Sequence, residues 1–271
     1  MIGSIIGDIV GSTFEVENHR SKFFELFRND ARFTDETVLI VAISDILLNW
    51  KTVSEDNKQE YIYKKLRSWC VPYLNRGFGS LFNQWLVSGK NQPYKSYGNN
   101  ALARISPLII YSKNNNLSLH ETLEIGQQLT TVTHNTDEAL NCIYCYLEIA
   151  FRIFKEDKNA YKKIIIETLQ KYNLDNLMTL EELQVSLEYD VTSKTTLSVV
   201  ASCLINSNDF EDCLRNIVSV GGDSDTYCSI GGAIAEIIWG IDEDFIKKID
   251  IYFKKQDKDL LKIVKNLYGL N

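Results

Sequence analysis

Thr34-Asp35-Glu36-Thr37-Val38-Leu39-Ile40-Val41-Ala42-Ile43-Ser44-Asp45-Ile46-Leu47-Leu48-Asn49-Trp50 is the stretch that decides the fold. From Thr37 to Trp50 the apolar residues leave almost no polar face on a helix of about 3.6 residues per turn. A helix that is apolar all round belongs in the middle of a protein, wrapped by other elements. The rest of the chain supplies them at the same period, over Ala139–Phe154, Ala160–Tyr172, Thr195–Ile205, Phe210–Val220, Tyr227–Trp239 and Leu260–Leu267. Ser118-x-x-Glu121 and Thr179-x-x-Glu182 are capping boxes that open two more helices. Loops fall near 73–80, 89–100, 113–117 and 186–194, where Asn, Gly and Ser concentrate. No alternating strands, β-α-β rhythm or tandem repeat interrupts this pattern. The expectation is an all-α, single compact multi-helix domain over residues 1–271.

The totals are ample for one sizeable core and allow either one domain or two intimately packed halves. The chain has 271 residues, 45% of them hydrophobic, a net charge of -7 and a pI near 5.1. A broadly acidic surface argues against nucleic acid or an anionic membrane as the main partner. No apolar run approaches the ~20 residues that span a bilayer. The opening Met1–Asp8 lacks the basic region of a leader. The six cysteines form no disulfide or zinc framework, and Cys142 and Cys145 sit inside a helical run as small apolar residues. A cytoplasmic monomer is the expectation.

Two acidic clusters carry the chemistry. Thr34-Asp35-Glu36-Thr37 and Gly221-Gly222-Asp223-Ser224-Asp225-Thr226 each precede an apolar helical run. Each offers carboxylates and a hydroxyl with no cysteine or histidine, a hard oxygen set suited to Mg²⁺, Mn²⁺ or Ca²⁺ and not to zinc. Together they would hold two ions, an arrangement suited to hydrolysis. Three consecutive residues point about 100° apart within a helix, so Thr34, Asp35 and Glu36 can fan around an ion only at a loop-to-helix junction. Asp223 and Asp225 share a side if the backbone there is extended. The plainer alternative is that both clusters are helix N-caps.

Gly3, Gly7 and Gly11 recur every four residues, and Gly231-Gly232-Ala233 lies inside a later helix. Such glycines cost ~1 kcal/mol each against alanine, so they point to close helix–helix approach, which would bring the clusters together. Glu15 ends the first helix, as an exposed residue or as a carboxylate beside the metals. His134 ends a helical stretch, while His19 and His120 read as surface residues. Gly77-Phe78-Gly79-Ser80 and Ser96-Tyr97-Gly98-Asn99-Asn100 are small-residue loops able to present backbone N–H groups to a phosphate.

In order along the chain, these residues resemble the ADP-ribosylglycohydrolases, with the compact length of the small bacterial members related to dinitrogenase reductase-activating glycohydrolase. The resemblance covers Ile2-Gly3-x-x-Ile6-Gly7-Asp8 with Glu15, Phe33–Thr37, Arg76–Ser80, Tyr97-Gly98-Asn99 through Arg104 to Pro107, Thr133-His134-Asn135, and Gly221–Thr226. It implies a helical fold with a two-magnesium cleft, Mn²⁺ being a possible substitute. Thr34, Asp35, Glu36, Asp223, Asp225 and Thr226 would hold the metals. Gly77, Gly79 and Ser80, with Ser96, Gly98, Asn99 and Asn100, would cradle a diphosphate. Tyr97 would stack on adenine, and His134 would lie near the diphosphate and ribose. The implied activity is removal of ADP-ribose from protein side chains, arginine first, by water attack at C1″ of the distal ribose. Asp35 or Glu36 would activate the water, and Glu15 would act as acid or gate.

Three departures stand out. Glu36 replaces the family's usual aspartate and moves the carboxylate out by roughly 1.5 Å. Asn100 replaces a glycine, tolerable if φ there is positive because asparagine accepts that region. The stretch after His134 reads Asn135-Thr136-Asp137-Glu138 in place of the usual His-Asn-His-Pro-Glu-like run. The alternatives are an ADP-ribose-binding module without turnover, or a hydrolase of serine-linked or O-acetyl-ADP-ribose. A terpenoid-synthase-like diphosphate enzyme lacks its Asp-Asp-x-x-Asp motif here.

Overall fold

Burial of the Asp35–Leu48 helix is nearly complete: each residue from Asp35 to Ser44 is buried. The computed structural model describes residues 2–269, without the side chains at 254–256 and 258, so Met1 and residues 270–271 of the expected domain lie outside it. Its helices in chain order are α1 (Ile2–Gly11), α2 (Asp35–Leu48), α3 (Glu55–Cys70), α4 (Ser80–Ser88), α5 (Asn100–Ile105), α6 (Pro107–Asn114), α7 (Leu119–Thr131), α8 (Asp137–Lys155), α9 (Tyr161–Lys171), α10 (Leu180–Ser186), α11 (Ser193–Ile205), α12 (Phe210–Val220), α13 (Ser224–Trp239), α14 (Glu243–Gln256) and α15 (Lys258–Tyr268). Among the described residues there is no strand, only an isolated bridge between Gly98 and Thr192. No described helix is long and apolar enough to cross a membrane. One hydrophobic core runs through the molecule, with α1, α3, α5, α6 and α15 packed around α2.

The glycines of α1 do what their spacing predicts. A Cβ on Gly3 would stand 2.3 Å from Gly232 O, one on Gly7 2.0 Å from Cys228 O, and one on Gly11 2.3 Å from Ser224 O. The steps of four on α1 meet steps of four on α13 in the opposite direction, so the two helices run antiparallel with their backbones in contact. Any side chain at these positions would force them apart. The Ser224 hydroxyl donates to Gly11 O at 2.9 Å and closes one end. At the other end Glu236 Oε2 accepts from Gly3 N at 2.9 Å. The pairing sets the end of α1, and the turn carrying Glu15, beside the start of α13.

Both capping boxes are present, at Ser118/Glu121 and Thr179/Glu182. Several sequence expectations need correction. Helix α3 was not anticipated, because its apolar residues Ile62, Tyr63, Leu66 and Cys70 are outnumbered by charged ones. Helix α13 starts at Ser224, not Tyr227, and α1 stops at Gly11, leaving Glu15 in the turn beyond. Asp223 has φ -78° and ψ 70°, so the Asp223–Asp225 segment is a helix start and not extended. The unusual backbone lies just before it, at Gly221 (φ 74°) and Gly222 (φ 81°). Asn100 opens α5 and has no positive φ. His19 is half-buried between Phe14 and Phe24, with centroid distances of 5.2 and 5.5 Å.

Candidate functional site

Thr34 is the N-cap of α2, its Oγ1 accepting from Glu36 N at 3.3 Å. The junction is anchored to α1 through Asp8. Oδ1 of that carboxylate accepts from Thr34 Oγ1 at 2.6 Å, and Oδ2 accepts from Thr34 N at 2.9 Å, Thr37 N at 3.1 Å and the Thr37 hydroxyl. The sequence alone gives Asp8 no role. The available signal was an acid on a helix otherwise built of Gly, Ile, Val and Ser, since a buried charge requires partners. Burial pushes the Asp8 carboxyl up to about 6, against the opposing effect of the Thr34 and Thr37 hydrogen bonds.

The two clusters meet above this anchor. The Thr226 hydroxyl donates to Glu36 Oε1 at 2.7 Å. Ligand oxygens of Glu15, Asp223 and Asp225 lie within 4.8 Å of one another. Asn99 Nδ2 donates to Asp223 Oδ2 at 2.6 Å and to Thr196 Oγ1 at 3.0 Å, while Asn100 Nδ2 donates to Asp35 Oδ2 at 3.3 Å. Asn99 N–H is also taken, by Val191 O at 2.8 Å. These asparagines therefore hold carboxylates, and Asn99 has no free donor for a diphosphate. Gly77, at φ 120°, makes room for the same group: a Cβ there would stand 2.8 Å from Asp35 Oδ1.

The electrostatics are one-sided. Burial, then the charges of Asp8 and Asp223, push the Asp35 carboxyl up to about 8. Burial, Asp35 and Asp225 raise Glu36 well above the carboxylate range. Burial raises Asp223, and burial with Asp223 and Glu15 raises Asp225 strongly. Among the described residues no lysine or arginine forms an ion pair with any of them. Glu36 Oε2 is buried with no partner at all. Such a group either keeps its protons or binds cations. An all-oxygen donor set with an orphaned carboxylate oxygen fits hard divalent ions.

The clusters form the floor of a cleft of about 610 Å³, and every site residue named from the sequence lines it. Adjoining the floor, the 77–80 and 94–100 loops form a wall of the cleft. Ser96 Oγ accepts from Gly98 N at 3.0 Å, and Ser193 donates to Tyr97 O and Gly98 O at 2.9 and 2.8 Å, fixing the loop against α11. Gly79 has open space beside it and begins α4 with no side-chain cap bond. Tyr97 is 54% exposed at the mouth. His134 is buried, with Nδ1 2.8 Å from Thr133 Oγ1. Arg32, Arg76, Tyr94, Tyr189 and Thr192 also line the cleft and were not anticipated as site residues. The Tyr189 hydroxyl donates to Glu15 Oε1 at 3.4 Å across the rim. Tyr189 and Thr192 lie in the expected 186–194 loop, where nothing local marks a binding role.

An acidic floor with a small-residue wall suits a ligand that carries hydroxyls at one end and an anionic group further along. The family model for ADP-ribosylglycohydrolase matches residues 1–270. The chain is 23% identical over 273 aligned positions to the ADP-ribosylarginine hydrolase Tri1 of Pseudomonas putida (strain GB-1), covering 89% of this chain and 70% of that one. It is similar in fold to a solved structure described as an ADP-ribosylglycohydrolase-related protein complex, with a TM-score of 0.68 and 17% identity over 99% of this chain and 96% of that one. Fold, floor and family match converge, and the chain belongs to the ADP-ribosylglycohydrolase family.

Proposed function

We propose that the protein hydrolyses the bond between C1″ of the distal ribose of ADP-ribose and an arginine side chain of a modified protein. The observation that carries this reading is the convergence of Asp35, Glu36, Asp223 and Asp225, buried, without cationic partners, and beside Glu15. Thr34, Asp35, Glu36, Asp223, Asp225 and Thr226 would hold two Mg²⁺ ions, with Mn²⁺ as a substitute. Bound there, the ions would supply Lewis-acid charge to the vicinal ribose hydroxyls.

The protein's own groups do the rest. Asp35 or Glu36, each with proton affinity raised by burial, takes a proton from the attacking water. The water oxygen bonds to C1″ as the C1″–nitrogen bond breaks, and the surrounding carboxylates stabilise the oxocarbenium character at the sugar. The leaving guanidine nitrogen receives a proton from Glu15, which lies at the rim with Tyr189 as its hydrogen-bond donor. The Gly79–Ser80 amides and His134 are the donors proposed for the diphosphate, with Arg32 and Arg76 adding positive charge to the cleft lining. Tyr97 offers a stacking face for adenine. Asn99 and Asn100 contribute by orienting Asp223 and Asp35.

The arginine linkage follows the named activity of the Pseudomonas relative. The test is release of ADP-ribose from matched arginine-linked and serine-linked proteins and from O-acetyl-ADP-ribose. Faster release from the arginine adduct supports the reading, and faster release from either other substrate reassigns the linkage. A second reading, an ADP-ribose-binding module, draws on the Thr226 bond that engages Glu36. It predicts tight ADP-ribose binding with no release from any substrate.

A further inference from the structure

Arg104 is the largest fully buried side chain among the described residues. Its Nη2 donates to Leu129 O at 2.9 Å and to Thr133 Oγ1 at 2.7 Å, which uses both hydrogens of that nitrogen. Its Nε and Nη1 are buried without partners. Burying a guanidinium in this way is costly, so a functional return is to be sought nearby. The Thr133 hydroxyl has a second contact, His134 Nδ1 at 2.8 Å.

The protons follow from counting. A hydroxyl has one hydrogen and two lone pairs. Arg104 can only donate, so it occupies one lone pair of Thr133 Oγ1. If Thr133 gives its hydrogen to His134 Nδ1, the Thr133 hydroxyl and Nδ1 are both satisfied. If Nδ1 carried the hydrogen instead, the Thr133 proton would be buried with no acceptor, at a cost comparable to a lost hydrogen bond. The first arrangement leaves Nδ1 as an acceptor and places the imidazole proton on Nε2.

Nε2 lies 3.8 Å from where a Cβ on Gly98, a residue of the cleft lining, would stand, and no hydrogen bond is made to it among the described residues. The Tyr94 ring lies beside the imidazole at a centroid distance of 5.9 Å. Burial, and then the charge of Arg104, hold His134 well below the ordinary imidazole range.

We propose that Arg104 is a positioning residue which, through the Thr133 hydroxyl, locks His134 as a neutral imidazole with its proton on Nε2. That nitrogen is then an obligate hydrogen-bond donor to an oxygen of the bound ligand, and it is unavailable as a general base. The proton assignment stands on the geometry alone. Only the identity of the accepting oxygen, on the diphosphate or ribose, rests on the reading of the cleft as an ADP-ribose site.

The experiment is long-range ¹H–¹⁵N NMR on full-length, histidine-labelled protein, followed by titration with free ADP-ribose. The chain has three histidines, so His134→Gln identifies the relevant signals. The expected result is an Nε2–H tautomer that does not titrate between about pH 5 and 8. Thr133→Val should remove the tautomer preference and weaken ADP-ribose binding by about three- to tenfold, and Thr133→Ser should restore both. An Nδ1–H tautomer in the wild type, an ordinary titration, or a Thr133→Val spectrum unchanged from wild type would overturn the proton assignment. Unchanged ADP-ribose affinity in a Thr133→Val protein that has lost its tautomer would overturn the donor role. Failure of the wild type to bind ADP-ribose refutes the reading of the cleft and the ligand assignment with it, while the tautomer result is decided independently. Because Thr133→Val leaves the guanidinium in place, the test does not depend on an Arg104 variant folding.

Discussion

The Thr226 hydroxyl donates to Glu36 Oε1 across 2.7 Å and so joins two clusters 190 residues apart in sequence. The bond leaves Glu36 Oε2 as the orphan of the site. The Glu36 side chain therefore reaches α13 and ties the two halves of the floor together.

Thr226→Ala should strand a second Glu36 oxygen in the interior. In EDTA the variant is expected to lose about 1–3 kcal/mol of stability, read as a lower urea midpoint. In Mg²⁺ the loss should be smaller, because a bound cation takes over the oxygen. An equal loss in both conditions would show that Glu36 does not face the ions.

Gly7→Ala addresses the scaffold. The added Cβ would stand 2.0 Å from Cys228 O, a backbone atom that cannot move without α13. The expected destabilisation is about 3 kcal/mol or more, measured by chemical unfolding. The ion site should weaken with it, because α1 and α13 carry Asp8, Asp225 and Thr226. Gly79→Ala, with open space around its Cβ position, should leave stability nearly unchanged.

Much of this was legible in sequence. The all-round apolar run of α2 placed that helix at the centre, and the four-residue glycine spacing pointed to a close helix–helix approach, which the fold makes between α1 and α13. The acidic clusters stood out because each combines carboxylates with a hydroxyl just before an apolar run. What escaped was tertiary. Asp8 is one carboxylate in an apolar helix until the structure shows four donors from Thr34 and Thr37 converging on it. Asn99 and Asn100 stand in a small-residue loop, and only the fold shows that their side-chain amides donate to Asp223 and Asp35. Helix α3 was hidden by its charges, because a helix with one narrow buried stripe resembles a polar linker when read residue by residue.

The pH dependence of the ion-free protein has a definite sign. Asp8 and Asp35 have folded-state values raised to about 6 and about 8. A carboxyl that binds its proton more tightly when folded contributes stability that is complete below about pH 4. That contribution is lost as pH rises through the folded values. In EDTA, Tm should therefore fall between about pH 5 and 8, and Mg²⁺ should reverse the fall by displacing the protons. Calorimetry in buffers of different ionisation enthalpy should show proton release on Mg²⁺ binding. A Tm that rises over this range in EDTA would contradict the assignment of a proton-holding floor.

The most direct test of the central claim is the release of ADP-ribose from arginine-ADP-ribosylated protein by wild type and Asp225→Asn, in Mg²⁺ and in EDTA. The account predicts release by wild type in Mg²⁺ and its loss in EDTA. For Asp225→Asn it predicts a drop greater than the roughly 10–100-fold that loss of an outer-shell partner costs. Wild-type release undiminished by EDTA, or an Asp225→Asn rate near wild type, would contradict it.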